Sequence, residues 1–271
     1  MRQGWLLALL AVASCGVEHQ RARAKAALDE LDLPRAERLY RDLLTRAPDD
    51  PVALYGLGWT YHLAGQEEQA RATFERCLRV APDAPDCVKG LGSVALATGN
   101  LEVARQRFER ALQQAPGDRS IRNSLALLHL RAGRLDEALR QYEQLCQEDP
   151  AEPTWAIGRA EALLRSERTE DALAEVDRAL ALPETGSRAE ILARTLRARI
   201  LLAATAGRVD EARCDQTAPQ VLAWLDEAEE DVGRARELDL GYSPPVGVLR
   251  QIHDRRRAAR RLCPGLPAGD E

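Results

Sequence analysis

The chain has 271 residues, of which 30% are charged and only 4% aromatic, and its abundance of Ala, Leu, Arg and Glu suits helices packed through small side chains better than a β-sandwich. Its formal net charge is -5, with six arginines against three acidic residues from Gly241 onward. That mild acidic balance excludes a general nucleic-acid binder, and the length is compatible with one or two domains or with an array that grows by adding units.

The first fifteen residues differ from the rest. Arg2 supplies a positive start, Trp5 to Ala13 is an unbroken apolar run, and Val12-Ala13-Ser14 leads into Cys15. The run is too short for a spanning helix, and no later segment reaches the ~18 apolar residues a span requires. The pattern of an aliphatic residue, two small residues and Cys resembles a bacterial lipoprotein signal. The resemblance implies that residues 1–14 are removed and that Cys15 becomes the lipidated first residue, a membrane anchor. Gly16 rather than Asp after the Cys implies sorting to the outer membrane, facing the periplasm. An ordinary secretory signal or a misread start is the alternative.

From Val17 a set of landmarks returns every 34 residues. Ala24, Gly58, Gly92, Ala126 and Ala160 form one column, Ala36, Ala70, Ala104, Ala138 and Ala172 a second, and Tyr40, Phe74, Phe108, Tyr142 and Val176 a third. Pro48, Pro82, Pro116 and Pro150 close the units, and Gly65, Gly99 and Gly133 stand where a first helix would end in the left-handed conformation. Each unit therefore reads as helix, tight turn, helix, break. The small columns sit where paired helices cross, with Leu57, Phe74 and Leu78 filling the space beside Gly58 and Ala70. In the first unit Leu31 replaces the turn Gly. In the fifth, Glu167 does so, Arg159 takes a Leu place and Pro183 comes one residue early. Gly90 and Gly92 are no phosphate loop, because no strand is predicted before them.

This period and order of landmarks resemble the tetratricopeptide repeat (TPR). The resemblance implies an all-α, right-handed α-solenoid of about six helix hairpins with a C-terminal capping helix. Residues 15–187 would hold five hairpins and 188–243 a divergent sixth with an insertion. At the opening of that sixth unit Ser187 and Glu190 form a capping-box signature before Leu192, Leu196 and Ile200; further on Gly207 to Ala212 echo Gly133 to Ala138, and Cys214 to Pro219 read as a loop. Residues 244–263 would form the cap and 264–271 a frayed tail. The cap carries the one dense basic run, Arg255, Arg256, Arg257, Arg260 and Arg261, either a solvated face or a contact with anionic lipid or an acidic partner.

Cys77 and Cys87 flank the turn at Pro82, and Cys214 and Cys263 flank the irregular C-terminal region, so both pairs are candidate disulfides. None of the cysteine spacings is a zinc pattern. The four histidines lie far apart, with no nucleophile or paired carboxylate at a useful spacing. No enzyme, metal or cofactor is expected.

The family resemblance instead implies a concave groove lined by first helices. Its lining would be Tyr55, Trp59, His62 and Leu63 in the second repeat, Lys89, Ser93 and Leu96 in the third, Asn123, Leu127 and Leu130 in the fourth, and Ile157, Glu161 and Leu164 in the fifth. Burying the indole of Trp59 is worth nearly ~4 kcal/mol before costs, so it is either covered within the protein or awaits a partner. Arg21 and Lys25 match part of the clamp that chaperone-binding relatives close on a carboxylate. Trp59 and Asp86 stand where that clamp needs Asn and Lys, so an apolar or amphipathic protein segment is the expected ligand. Lipid-anchored six-repeat proteins resemble the pilotins of type IV pili, which help a secretin assemble. An accessory lipoprotein for peptidoglycan synthesis or outer-membrane protein assembly is the second expectation. A cytoplasmic regulatory scaffold is the third, if the leader is misread.

Overall fold

The structure, a computed structural model, describes residues 2–183, 186–206, 208, 214–238 and 247–264, without the side chains of residues 2–15, 187 and 215. The side chain of Cys15, Gly207, residues 209–213 and the Pro244–Pro245 break therefore lie outside the described residues. Those residues hold thirteen α-helices and no strand: α1 Arg2–Asp29, α2 Leu33–Arg46, α3 Pro51–Leu63, α4 Glu67–Val80, α5 Pro85–Ala97, α6 Leu101–Gln114, α7 Arg119–Arg131, α8 Leu135–Glu148, α9 Pro153–Arg165, α10 Thr169–Leu180, α11 Ser187–Ala204, α12 Cys214–Leu238 and α13 Val248–Leu262. The chain divides into two compact units, residues 1–128 and 129–271. Consecutive helices pack as pairs within them, α1 on α2, α3 on α4 and α5 on α6 in the first, α9 on α10 and α11 on α12 in the second.

Local chemistry sets the helix ends. Asp50 caps α3 by accepting from the amides of Val52 and Ala53 (3.0 and 3.3 Å), with Pro51 pre-set in the first turn. Its other oxygen, almost fully buried, takes a salt bridge from Arg21 of α1 at 2.9 Å. Glu152 caps α9 through the Thr154 amide. At the tips of the five hairpins from α1–α2 to α9–α10 one residue turns left-handed, and the next amide reaches back to a carbonyl five residues earlier: Asp32 to Ala27, Gln66 to Tyr61, Asn100 to Ala95, Arg134 to His129 and Arg168 to Leu163, all within 2.8–3.0 Å. Gly65, Gly99 and Gly133 adopt the left-handed φ at no steric cost, but Leu31 (φ 59°) and Glu167 (φ 61°) adopt it too. The turn is thus kept in both repeats that lack its glycine.

The small columns admit the aromatic ones. A Cβ placed on Gly58 would fall 2.6 Å from the Phe74 ring, and one on Gly92 would fall 2.5 Å from Phe108. A second glycine column, one helix further on, does the same from the other side. Gly90 presses on Phe74, Gly56 on Tyr40 and Gly158 on Tyr142, each closer than a Cβ would allow. Each of these rings joins its own hairpin to the next, and Phe74, Phe108 and Tyr142 are fully buried. Burial pushes the Tyr40 phenol up to about 12, with Asp29 and Tyr55 adding to the effect.

Two expectations are corrected in the second unit. Cys214 to Pro219 are helical rather than looped: Cys214 opens α12, and Pro219 lies inside it. Pro219 is the sixth residue of the helix, so its missing amide forfeits one main-chain hydrogen bond there, and the burial of Ala218 and Val221 beside it offsets that cost. At the start of α11 the cap position belongs to Gly186, with no side-chain cap bond, and Leu192 is 53% exposed while Leu196 and Ile200 are buried. Asp231 of α12, 3% exposed, binds Arg194 and Arg197 of α11 at 3.0 and 2.8 Å, and Arg197 also reaches Asp177 and Glu227. Burial pushes the Asp231 carboxyl up, against the pull of the two guanidinium groups. Disulfides join Cys77 to Cys87 across the α4–α5 turn and Cys214 to Cys263 across the start of α12 and the end of α13, with Cα separations of 6.2 and 5.5 Å. Cys146 is free and half-buried.

Candidate protein-binding surface

In the first unit the α3 residues form an aromatic platform. The Trp59 ring meets Tyr55 edge-on at 6.2 Å, Phe74 at 6.1 Å and His62 at 5.2 Å, close to the preferred T-shaped geometry. Its Nε1 is buried and interacts with the Tyr55 phenol without a well-aligned hydrogen bond. Trp59 is therefore braced from within, yet only half-buried. Leu63, one turn further along, is 40% exposed. His62 is already engaged: its Nδ1 lies 2.9 Å from Glu67 across the hairpin turn.

Lys89 is not a lining residue in the expected sense. It is 7% exposed, donating to Ser120 Oγ at 2.8 Å and Asp86 at 3.3 Å, with its ammonium 5.8 Å from the Tyr55 ring centre. Burial disfavours its charge, but Tyr55, Asp86 and Asp118 outweigh burial and hold the ammonium above its usual range. Asp118, which caps α7 through the Ser120 and Ile121 amides, is burdened by burial too, yet those amides and Lys89 hold its carboxyl below the usual range. Leu96, 9% exposed, packs with Phe108, so it too leaves the lining. Ser93 and Asn123 are half-buried, and Leu127 is 42% exposed. Of the residues expected to line the first unit, those left to meet a partner are Tyr55, Trp59, Leu63, Ser93, Asn123 and Leu127.

The second unit offers less. Leu130 is buried, and Ile157 and Leu164 are half-buried against the core of α9, α10 and α11. Glu161 is held by a two-pronged contact from Arg199 of α11, at 2.8 and 3.3 Å. Arg199 was not legible as a site residue, because α11 lies past the last clear repeat. Arg21 and Lys25, candidates for a carboxylate clamp, are paired with Asp50 and Glu18 and with Asp29. Among the described residues no cluster of His, Cys, Asp or Glu suits a metal ion, and no helix is long and apolar enough to cross a membrane.

Two family models described as tetratricopeptide repeat match the chain, one over residues 27–93 and the other over 89–153 and 123–187. The chain belongs to the tetratricopeptide-repeat family. Solved structures agree on the fold. A TPR protein from Parabacteroides merdae superposes with a TM-score of 0.63 at 18% identity, over 88% of this chain and 84% of that one. A TPR protein of Thermus thermophilus gives 0.61 at 21%, over 69% and 98%, and pilF of Pseudomonas aeruginosa gives 0.56 at 15%, over 88% and 99%. No curated protein sequence matches. The chain is a scaffold of the kind that binds proteins.

Proposed function

We propose that this TPR protein is a lipid-anchored scaffold of the bacterial cell envelope. It captures an apolar or amphipathic segment of another protein on the α3 platform and acts by display rather than catalysis, with a pilotin-like part in secretin or type IV pilus assembly. The observation that carries the binding reading is Trp59, fixed by three ring contacts yet incompletely covered, with Leu63 and Leu127 exposed on first helices of the same unit. A rigid aromatic anchor of this kind loses little conformational freedom on binding. The envelope reading rests on the leader and Cys15, and two disulfides in a chain of this size suit an oxidising compartment.

A photo-crosslinking residue at Leu63 tests the groove in cells, with the same residue at exposed Glu75 of α4 as the control. The expected result is a discrete adduct from Leu63 that Trp59→Ala weakens, and none from Glu75. Equal adducts from both positions would remove the groove reading. Cys15→Ser should release the protein from the membrane fraction, whereas an unchanged distribution would remove the anchor. Loss of the secretin multimer on deletion tests the pilotin role, which intact secretin and pili would end.

A further inference from the structure

The outer face of α13, in the second unit, is no part of the α3 platform and is strongly basic. The helix carries Arg250, Arg255, Arg256, Arg257, Arg260 and Arg261 against a single acid, Asp254, in a chain whose net charge is -5. Its inner face is fixed. Val248, Ile252 and Ala259 are buried against α11 and α12, Arg256 reaches Asp226 and Glu229 of α12 at 2.7 and 2.8 Å, His253 reaches Glu229 at 3.1 Å, and Cys263 is bonded to Cys214.

The acids of α12 thus hold only the inward-facing groups. On the outer face Asp254 is shared between Arg257 and Arg250, and Arg261 is exposed with no acidic partner among the described residues; Arg255, exposed and likewise without one, stands about 120° or more round the helix from these three. Arg250 and Arg257 remain 87% and 70% exposed at the side chain. At 3.6 residues per turn Arg250, Arg257 and Arg261 share one edge of the helix and spread over about 16 Å of it.

From this geometry we infer that α13 is a docking face for an anionic phospholipid surface. A protein partner is the less favoured occupant, because the outer face offers no aromatic residue and, at its end, one exposed leucine, Leu262 at 43%, whereas interface hot spots centre on buried aromatic or Arg anchors in apolar pockets. A fixed row of arginines without an apolar centre suits many diffuse headgroup charges, and each basic residue near an anionic surface adds favourable attraction. This assignment stands independently of the groove.

The test uses the full chain with Cys15→Ser, so that no acyl chain tethers it, and compares vesicles of phosphatidylcholine with vesicles of an equal phosphatidylcholine and phosphatidylglycerol mixture. The leader, with its own positive start at Arg2, is present in parent and variant alike, so the contribution of α13 is read as the difference between the two. The expected preference for the anionic vesicles is about tenfold or more, and it falls as salt is raised. A triple variant, Arg250→Gln with Arg257→Gln and Arg261→Gln, should melt at the unchanged temperature and lose most of the preference. Equal binding to both vesicles, or a preference undiminished in the folded triple variant, would overturn the assignment. Arginine-dependent binding to polyglutamate without binding to anionic vesicles would overturn it in favour of an acidic polypeptide.

Discussion

Gly90→Ala is the substitution that most directly probes how the repeats are joined. In an exposed helix interior Ala exceeds Gly by ~1 kcal/mol, so propensity alone predicts a more stable protein. The packing predicts the reverse. The new Cβ would lie 2.5 Å from the Phe74 ring, which is fully buried, backed by Gly58 and flanked by Tyr55 and Trp59. The ring has no free side to retreat to. Overpacking of this kind costs ~1–3 kcal/mol, so after the propensity gain of ~1 kcal/mol a net loss of up to ~2 kcal/mol is expected. At about 2–4 °C per kcal/mol for a domain of 150–250 residues, thermal melting followed by circular dichroism should resolve it. Gly233→Ala is the internal comparison: Gly233 lies within α12, and a Cβ there meets nothing within 4 Å, so that variant should gain up to ~1 kcal/mol. Phe74→Leu removes the atoms in conflict, so Gly90→Ala should cost less in that background than in the native one. If Gly90→Ala raises the melting temperature as Gly233→Ala does, the second glycine column is not a packing device.

Three further outcomes are expected. Asp231→Asn removes a buried carboxylate that serves both Arg194 and Arg197, and should destabilise by roughly 3 kcal/mol in urea denaturation; a change near zero would show that Glu190, Asp177 and Glu227 suffice for the two guanidinium groups. Leu31→Gly and Glu167→Gly relieve a left-handed backbone at exposed positions; since that strain is ~1–2 kcal/mol and Gly loses some of the gain to unfolded-state entropy, each should raise stability by roughly 0.5–1 kcal/mol on the same curve, and a fall would mean that the side chains contribute packing. The Tyr40 phenol titrates at about 12 when folded against 10 unperturbed, so its contribution is intact below pH 10 and is lost as the pH rises toward 12; Tyr40→Phe should flatten that part of the alkaline stability profile, and an unaltered slope would refute the burial argument.

Most of the fold was legible because a column of side chains at a fixed step of 34 residues records a contact that every hairpin must make. The first glycine column was read for what it does, but Gly56, Gly90 and Gly158 were not, although they keep the same step with Ser124 between them. Their partner is the aromatic residue of the preceding repeat, and a pattern within one unit cannot reveal a contact between two. Proline misled at Pro219, where the helix runs on through the ring because tertiary burial of Ala218 and Val221 outweighs one lost main-chain hydrogen bond. The candidate site was legible in position and poorly legible in state. Whether a first-helix side chain is free depends on what faces it from the next element, and for Lys89 that was Ser120, for His62 Glu67, and for Glu161 Arg199.

The platform and the stacking contact are one structure seen from two sides. Phe74 carries Trp59 and Tyr55 on its outer side and is gripped by Gly58 of its own hairpin and Gly90 of the next. A ring held this way has one well-packed position, and a displacement of α5 relative to α4 must move it and tilt what rests on it. The disulfide between Cys77 and Cys87 restrains that same junction. A partner that needs Trp59 in one orientation therefore binds the second and third repeats as a single body, and the affinity of the platform should depend on a residue, Gly90, that faces away from it. Gly90→Ala should weaken capture at Leu63 in the protein that remains folded, whereas Gly233→Ala should not; equal capture by both variants would show that the platform is set within α3 alone.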